Sequence, residues 1–577
     1  MINMKNNVFV YVLALVAISL SFNSCTGLKK MKKNQGMISY TVTPNPLEMH
    51  ADSVTINVTG KFPAKYYKKK VTCEIKPFIT YNGGEIALKT VKVQGEKVLD
   101  NNVVVNYLNG GSFSYTDKIA YVPQMRICDL EARITANVKK KFVDFDPVKI
   151  AKGTIATPGL LEKDAKAIIG KDKFERITPE SMVADIHFVI NQATVRPTEL
   201  NQDDYKNLKA YLKTAMKPES RRDIKGVVVS SYASPDGELD LNTKLSDNRG
   251  TSGNTTITKE FGKFEKAKDK SFVSVNATPE DWDGFKTEME KSDLADKDLI
   301  IRVLSMYSDP IVREKEIKNI SKAYLQVADK VLPKLRRSVI KVNSDVMGWS
   351  DEELNQLFDT KPDTLKIEEI LFTATLTQNL DRQLKIYEKA MANFPSCWRA
   401  ANNAGYVLVK QGKIGEAKEK FKKAKAIEST NAIIMNNLGV CALMEGDFVK
   451  AEEYFKSAGG AGKEVNYNLG VCAVKKADYQ SAVTLFSDYC TFNAALAKLL
   501  AGDPSNCVKT VDCAEDKERA MMYYLKAVAG ARQQNTDLLY NNLRAAISKD
   551  AALNDLAKTD MEFAKYFADD TFKSIVK

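Results

Sequence analysis

The sequence predicts a multidomain protein with an all-β sandwich, then an α/β domain with a helical insert, then an all-α solenoid of helical repeats. Apolar residues alternate with a period of two up to about residue 155, and β-branched runs alternate with helical stretches between residues 181 and 348. From about residue 363, small and aromatic residues recur at an interval of about 34 positions. The length of 577 residues gives a prior of roughly three to five domains.

The first domain is predicted over residues 37–155. Val54, Ile56 and Val58 alternate with polar residues, and turn signals follow at Asn82-Gly83-Gly84 and Asn109-Gly110-Gly111. This pattern is typical of an immunoglobulin-like sandwich. The domain has no glycine-rich phosphate loop or dense acidic cluster, so we expect a spacer or docking module.

Residues 156–180 are predicted to form a linker helix between two prolines, Pro158 and Pro179, with many lysines. Proline tends to sit at or outside the ends of a helix rather than within it. The α/β domain therefore begins at about residue 181.

The most informative part of the α/β domain, residues 181–348, is a strand, a polar loop and a helix. Val227–Val229 are a buried strand, Ser234-Pro235-Asp236-Gly237 is a turn, and Asp240–Asn242 can cap a helix that carries Arg249. A helix N-terminus, carboxylates and a guanidinium near one loop suit a zwitterionic or carboxylate ligand. The alternative is that Arg249 is a solvated residue on a helix face.

This stretch resembles the core of OmpA-like domains, which bind peptidoglycan. The matching residues are Tyr232, Gly237, Asn242, Leu245, Ser246 and Arg249, with Asn191, Ala193 and Pro197 upstream. In that family an Asp and an Arg hold the diaminopimelate of the stem peptide, so the resemblance implies peptidoglycan as a partner and Arg249, Asp236, Ser234 and Asn242 as candidate ligand-binding residues. The family Asp falls on Ser234, which removes the anion expected to meet the ammonium group. Asp236 reaches the pocket only if the loop is shifted.

A helical insert is predicted at about residues 278–337, between a strand at Phe272–Val275 and a closing strand at Ser338–Val342. Trp282 and the pair Arg336-Arg337 are candidates for a binding surface. The favoured alternative is a packed Trp, because Trp is usually highly buried, and a solvated Arg pair.

Residues 363–577 contain an internal repeat. Gly405, Ala417, Phe421 and Ala424 recur 34 residues later as Gly439, Ala451, Phe455 and Ala458, and a third copy follows at Gly470, Ala482 and Phe486. The spacing is similar to that of tetratricopeptide repeats. That resemblance implies a concave surface for peptides or partner proteins, on which asparagines of successive helices could hold a partner's backbone. The candidates are Asn402, Asn403, Asn436, Asn437, Asn466 and Asn468; the alternative is that they are ordinary solvated residues.

The N-terminus indicates export. Lys5 precedes an apolar run at Val8–Leu20, and small residues precede Cys25, as in a bacterial lipobox. We therefore expect a signal peptide over residues 1–24, lipidation of Cys25 and a flexible basic tether over residues 25–36; an ordinary cleaved signal is the alternative. No acidic run follows Cys25, which resembles periplasm-facing outer-membrane lipoproteins of the Bacteroidota.

Composition excludes several classes of function. The net charge of +12 comes partly from lysine clusters at Lys29–Lys33, Lys68–Lys70 and Lys139–Lys141, which lack interleaved aromatics, so nucleic-acid binding is disfavoured. Only two histidines occur, and no C-x-x-C motif, so we predict no metal, no cofactor and no catalytic residues. A Cys73–Cys128 disulfide is possible, as is a loop closed by Cys507 and Cys513.

Together these observations predict a non-enzymatic outer-membrane lipoprotein scaffold. It would contact peptidoglycan through the OmpA-like domain and recruit an envelope protein through the solenoid. One alternative is a pure adaptor of a secretion, assembly or gliding complex that has lost peptidoglycan binding. A wall hydrolase is a further alternative, against which stands the absence of a paired-His site or a nucleophile-elbow glycine pattern.

Overall fold

The structure, a computed structural model, describes residues 27–577, with the side chains of residues 321–323 left out. The predicted signal peptide and Cys25 lie outside the described residues. Two compact units form: the first contains residues up to 171 together with 378–577, and the second contains residues 172–377. No helix among the described residues is long and apolar enough to cross a membrane.

The first described residues of the first unit are helical, although a flexible tether is predicted there. Residues 27–33 form α1, because Leu28 and Met31 lie one turn apart and are both buried against the sandwich. The flexible-tether prediction is therefore wrong from residue 27 onward.

The sandwich that follows α1 consists of two sheets. In one, the order is β1-β3-β2-β12 with β8 beside β3; in the other it is β10-β9-β4-β6-β7 with β11 beside β9 and β5 beside β4. The strands are β1 (Ser39–Thr43), β2 (Leu47–His50), β3 (Ser53–Phe62), β4 (Thr72–Tyr81), β5 (Gly84–Ala87), β6 (Val91–Gly95), β7 (Val103–Val105), β8 (Gly111–Ala120), β9 (Cys128–Val138), β10 (Lys141–Asp144), β11 (Val148–Lys152) and β12 (Thr154–Ile155). Alternate residues of β3 and β9 are buried, as the period of two predicts.

The segment that leaves the sandwich differs from the prediction. A short 3-10 helix covers Thr157–Leu160, and residues 161–176 have no regular secondary structure. The prediction of a linker helix is therefore wrong. The reason is tertiary: residues 161–170 of this segment bind the solenoid of the first unit.

The solenoid is built of paired helices. They are α11 (Leu380–Asn393), α12 (Trp398–Lys410), α13 (Ile414–Ile427), α14 (Ala432–Glu445), α15 (Phe448–Ser457), α16 (Lys463–Lys475), α17 (Tyr479–Leu485), α18 (Phe492–Leu500), α19 (Pro504–Asp512), α20 (Ala520–Gln533), α21 (Thr536–Lys549), α22 (Ala552–Thr559) and α23 (Asp570–Ile575). A Cβ on Gly405, Gly439 or Gly470 would lie 2.6, 2.6 or 2.8 Å from the ring of Phe421, Phe455 or Phe486. The repeating Gly slot therefore exists because a Phe of the partner helix fills it.

The solenoid also packs against the sandwich. His50 Nδ1 is 2.8 Å from the hydroxyl of Tyr479, and the Lys475 ammonium is 2.8 Å from the carboxylate of Asp52. A Cβ on Gly153, which has φ +71°, would meet Met561 Sδ at 2.4 Å. These contacts lie within the first unit.

The second unit contains a four-stranded sheet with the order β13-β16-β14-β15. Its parallel pair is β14 with β15; β16 is antiparallel to both β13 and β14. Its elements are β13 (Ile177–His187), α2 (Asp203–Ala215), β14 (Arg222–Tyr232), α3 (Leu239–Phe261), β15 (Val273–Thr278), α4 (Trp282–Lys291), α5 (Lys297–Met306), α6 (Pro310–Asn319), α7 (Ser321–Lys330), α8 (Leu332–Leu335), β16 (Arg337–Met347), α9 (Asp351–Thr360) and α10 (Ile367–Thr375). The insert is thus the helical run α4–α8, with its own apolar cluster around Phe285 and Met289.

The cysteine pairings differ from both predictions. Cys490 and Cys513 form a disulfide in the solenoid, whereas Cys73, Cys128 and Cys507 are free and buried. Cys73 and Cys128 lie near opposite ends of the paired strands β4 and β9, since their partners are Ala136 and Tyr81. Sequence proximity suggested Cys507 with Cys513, but α19 separates the two thiols by almost two turns.

We predict that replacing both Cys490 and Cys513 by Ser lowers the free energy of unfolding of the first unit by about 3 kcal/mol, because the disulfide closes a loop of 23 residues. Chemical denaturation followed by circular dichroism measures the change. Cys397→Ser, at a half-buried free cysteine, is the matched control and should change little. Thiol titration of the unfolded parent chain that finds Cys490 and Cys513 reduced without added reductant would contradict the pairing.

Candidate functional site

The groove of the solenoid is occupied by the chain itself. We call residues 161–170 the strap; they run across the α12, α14, α16 and α18 helices in the direction from later to earlier repeats. The strap has no secondary structure of its own, so its main-chain groups need partners elsewhere.

Four asparagines supply those partners with one repeated geometry. In each case the side-chain Oδ1 accepts the main-chain N–H of a strap residue and Nδ2 donates to the carbonyl of that same residue. The pairs are Asn403 with Gly170 (2.7 and 2.8 Å), Asn437 with Ile168 (2.7 and 2.7 Å), Asn468 with Lys166 (2.7 and 2.9 Å) and Asn493 with Glu162 (3.0 and 2.9 Å). We call these four residues the asparagine ladder.

The ladder fits an extended chain. Residues 166, 168 and 170 are two apart, so their main-chain groups point the same way with a repeat of about 7 Å. Asn403, Asn437 and Asn468 each lie two residues before the repeating glycine, so consecutive repeats present them at the same depth. Consecutive repeats of the solenoid therefore bind strap residues that are two positions apart, which is the repeat of an extended strand.

A second row of polar side chains supports the ladder. Asn402 Nδ2 lies 3.2 Å from the carbonyl of Ile168, and Asn436 Nδ2 lies 3.0 Å from that of Lys166. The Oδ1 atoms of Asn402 and Asn436 accept from Asn437 and Asn468 at 2.8 and 2.9 Å. In the third repeat Tyr467 occupies this position, and its hydroxyl donates to Asp164 at 2.7 Å.

The ladder is dry. Asn402, Asn436, Asn437, Asn468 and Asn493 are fully buried and Asn403 is 2 % exposed. An amide buried at this depth costs free energy unless its donors and acceptor are paired, so the bonds to the strap stabilise the folded solenoid.

Strap side chains add specific contacts. Ile168 and Ala165 pack on the apolar cluster of the second and third repeats. The Lys166 ammonium lies 4.3 Å from the ring centroid of Tyr467, and Glu162 is paired with Arg519 at 2.7 Å. A Cβ on Gly170 would lie 3.0 Å from Arg399 Cγ, so this position favours glycine.

The structure therefore differs from the prediction in what the asparagines hold. Asn402, Asn403, Asn436, Asn437 and Asn468 do bind main chain, but it belongs to the strap. Asn466 is exposed and lies outside the ladder, since it falls four residues before Gly470 rather than two. Asn493 was not predicted, because the fourth repeat has no glycine to mark the register.

In the second unit, Arg249 on α3 is buried and only 1 % exposed. Its Nε donates to the carbonyl of Gln192 at 3.1 Å and its Nη1 to that of Tyr232 at 2.9 Å, with Nη2 3.5 Å from the carbonyl of Val189. Each of the three guanidinium nitrogens thus faces a main-chain carbonyl, and Arg249 does not lie on a solvated helix face.

Ser234 and Asp236 lie beside Arg249 and bind a second buried arginine. Ser234 donates a short hydrogen bond to Asp236, and Arg336 lies 3.2 Å from both the Ser234 hydroxyl and the Asp236 carboxylate. Arg336 is 8 % exposed, so the solvated Arg pair is wrong. The neighbouring Arg337 is paired with Asp281 at 3.0 Å.

Asn242 holds the turn rather than pointing to a ligand. Its Nδ2 donates to the carbonyl of Gly237 at 3.0 Å, and the residue is 3 % exposed. The predicted residues Arg249, Asp236, Ser234 and Asn242 are therefore together, and each has a partner within the protein.

Electrostatics at this loop follow from burial. Desolvation, and then the nearby Arg336 cation, lower the pKa of Arg249 to about 10, while Asp236 opposes the shift. Arg249 remains a cation at neutral pH, and it is compensated by carbonyl dipoles and by a carboxylate that it shares with Arg336.

The helical insert covers the loop. Trp282, Phe285, Ile317 and Tyr324 line a cavity of about 10 Å³ together with Pro235 and Asp236. This volume holds about one water molecule and no amino-acid side chain. Among the described residues, no group of three or more His, Cys, Asp or Glu is arranged to hold a metal ion.

Comparison with solved structures returns helical-repeat proteins. A tetratricopeptide repeat protein from Parabacteroides merdae is 13% identical, with 37% of this chain and 91% of that chain covered and a TM-score of 0.29. PilW, described as a type IV pilus biogenesis factor, is 16% identical over 38% of this chain and 100% of that chain, with a TM-score of 0.29. Pseudomonas aeruginosa PilF is 17% identical over 38% and 98%, with a TM-score of 0.28. The C-terminal helices of this chain form a helical-repeat solenoid with in-register Gly and Phe slots. No protein-family model matches the sequence, and no curated protein matches it.

We predict that Asn437→Ala loosens the strap. The substitution removes two hydrogen bonds to Ile168 and leaves the Ile168 N–H and the buried Oδ1 of Asn402 without their partner, which costs roughly 2–4 kcal/mol. Hydrogen exchange at the amides of Lys166 and Ile168, together with tryptic cleavage after Lys163 and Lys166, measures the loosening. Asn466→Ala, an exposed asparagine of the same solenoid, is the control. Equal protection of the strap in both variants would show that the ladder does not hold it.

Proposed function

We propose that the protein is a non-enzymatic scaffold whose solenoid groove is a receptor for extended polypeptide and recruits an envelope protein. The asparagine ladder carries this proposal: four side chains from successive repeats bind the N–H and C=O of strap residues 162, 166, 168 and 170, of which the last three are alternate. This geometry reads main-chain conformation, with little dependence on sequence.

The strap is the resident ligand of this groove. It is covalently tethered, so its effective concentration is on the order of millimolar or higher. A partner segment must therefore be extended, must offer free N–H and C=O groups at the positions that match strap residues 162, 166, 168 and 170, and must bind well enough to displace the strap. A cation above Tyr467 and glycine at the position of Gly170 complete the pattern that the groove favours.

We predict that a fluorescent peptide with the sequence of residues 159–171 binds the full chain only when the strap is absent from the groove. The test chain has proline at positions 162, 166, 168 and 170, because proline lacks the main-chain N–H that each asparagine of the ladder binds. Binding is measured by fluorescence anisotropy. Adding Asn437→Ala to that chain should weaken binding by about tenfold or more, whereas Asn466→Ala should not. A folded proline-substituted chain that does not bind the peptide would refute the receptor proposal.

Peptidoglycan binding, which the OmpA-like resemblance implies, is disfavoured by the geometry around Arg249. A ligand carboxylate would have to reach a side chain that is 1 % exposed and already faces three carbonyls. An incoming ammonium would find Asp236 paired with Arg336. We therefore propose the adaptor that has lost peptidoglycan binding, with Arg249 as a structural residue.

We predict that the purified chain stays in the supernatant when mixed with sacculi and sedimented, and that it releases no soluble muropeptides. Arg249→Lys should lower the free energy of unfolding of the second unit by a few kcal/mol, because the ammonium cannot reach all three carbonyls. The opposite result, co-sedimentation by the parent chain and loss of it in a folded Arg249→Ala variant, would restore the peptidoglycan hypothesis.

We further propose that the chain is an outer-membrane lipoprotein that faces the periplasm, anchored at Cys25. The lipobox-like residues before Cys25 support this location, as does the Cys490–Cys513 disulfide, which persists in an oxidising compartment.

A further inference from the structure

The three lysine clusters of the first domain, far apart in sequence, meet at one end of the sandwich. The strand registers place them there: Thr72 at the start of β4 pairs with Asn137 near the end of β9 and with Gln94 near the end of β6. Phe62 at the end of β3 pairs with Gly111 at the start of β8. We call this end, formed by residues 27–37, 61–71, 95–111 and 137–146, the basic pole.

Direct contacts join the segments of the pole. The hydroxyl of Tyr66 donates to the carbonyl of Met31 at 2.9 Å, so α1 is fixed on the loop that follows β3. The N–H of Lys97 donates to the carbonyl of Lys69 at 2.8 Å, and Lys32 is paired with Asp146 at 2.8 Å. One apolar cluster beneath the pole includes Leu28 and residues of every other segment.

The pole carries a high positive charge. It contains thirteen lysines, namely Lys29, Lys30, Lys32, Lys33, Lys61, Lys65, Lys68, Lys69, Lys70, Lys97, Lys139, Lys140 and Lys141. Its acidic residues are Glu96, Asp100, Asp144 and Asp146. Ten of the lysines are exposed. None of the cations is an arginine, so the pole offers point charges on flexible stems rather than planar forks for bidentate contacts.

Large apolar side chains stand among the lysines. Leu99 is fully exposed, and Leu108 and Phe142 are 61 % and 65 % exposed. A single exposed leucine is unremarkable, but apolar tips within a lysine-rich surface are the pattern of proteins that rest in a membrane interface.

The chain enters the pole close to the proposed anchor. Residue 27, the first of the described residues, is helical and follows Cys25 by two positions. Two residues span at most about 7 Å, so a lipidated Cys25 would hold the pole within about a Debye length of the headgroups.

We propose that the basic pole is a membrane-docking surface that lies on a bilayer with anionic headgroups. The lysines attract lipid phosphates, and Leu99 and Leu108 enter the interface between headgroups and acyl chains. The position of the pole at the membrane rests on the lipid anchor of the proposed function, whereas its lysine and leucine chemistry acts without the anchor. Docking would fix the orientation of the scaffold, which a single lipid anchor would leave free to tilt.

The experiment uses the mature chain with Cys25→Ser, which cannot be acylated, and sedimentation with vesicles. We expect binding to vesicles with 30 mol% phosphatidylglycerol, little binding to pure phosphatidylcholine, and loss of binding in high salt. The double variant Lys70→Glu, Lys140→Glu should weaken partitioning at least about tenfold, since each lysine near such a surface contributes about fivefold. The control Lys76→Glu, Lys118→Glu makes the same charge change on exposed strand residues away from the pole.

The outcomes separate this inference from the proposed anchor. Equal binding of the two double variants, no binding of the Cys25→Ser chain, or binding to soluble polyphosphate without binding to vesicles would overturn the docking surface. Mass spectrometry of the mature N-terminus of the wild-type chain reports acylation of Cys25 independently. An acylated chain with no vesicle binding by the Cys25→Ser form refutes the pole alone; vesicle binding with an unmodified Cys25 refutes the anchor alone.

Discussion

The first unit depends on one interaction, the pairing of a buried asparagine amide with the N–H and C=O of one strap residue. An isolated strand inside a helical solenoid has no neighbouring strand to complete its hydrogen bonds, and unpaired main-chain groups at this depth are costly. A carboxamide has one acceptor and one donor group at the right separation to replace that neighbour. Four such side chains at the spacing of the repeats let a chain without secondary structure cross the groove, and the solenoid is fastened to the segment that leads out of the sandwich.

Much of this arrangement could be read from the sequence, and the limits are physical. The Gly and Phe slots recur because the two helices of a repeat are too close for a larger side chain at the Gly position. The repeat spacing was therefore enough to predict both the solenoid and its register. The asparagines could be predicted because they recur at fixed positions relative to the repeating glycines. Their occupant could not be predicted, because Ala165, Lys166 and Ala167 favour helix by intrinsic propensity and the groove overrides that preference. Asn493 was also not predicted, because its repeat lacks the glycine that marks the register in the others.

The second unit shows how a motif can match in residue type and differ in chemistry. Arg249 stands where the resemblance places it, but its availability depends on groups that sequence spacing does not connect. Arg336 lies 87 positions further along and takes the carboxylate of Asp236, and the helical insert covers the loop. A guanidinium that faces three carbonyls stabilises the loop. A ligand can bind Arg249 only if its side chain is exposed, and the motif does not determine that exposure.

Burial distinguishes the polar groups that bind within this protein from those that are available to a partner. The asparagine ladder and the two buried arginines are satisfied within the chain, because burial without partners would prevent folding. The lysines of the basic pole face the opposite constraint: their ammonium groups stay in water, and the four carboxylates among them cannot neutralise thirteen charges. Mutual repulsion at the pole lowers the stability of the isolated domain, and an anionic surface would relieve it. In the sequence the three lysine runs are far apart. The strand register brings them together, so that they create one region of positive electrostatic potential. Such a region attracts an anionic partner more strongly than three separate runs would.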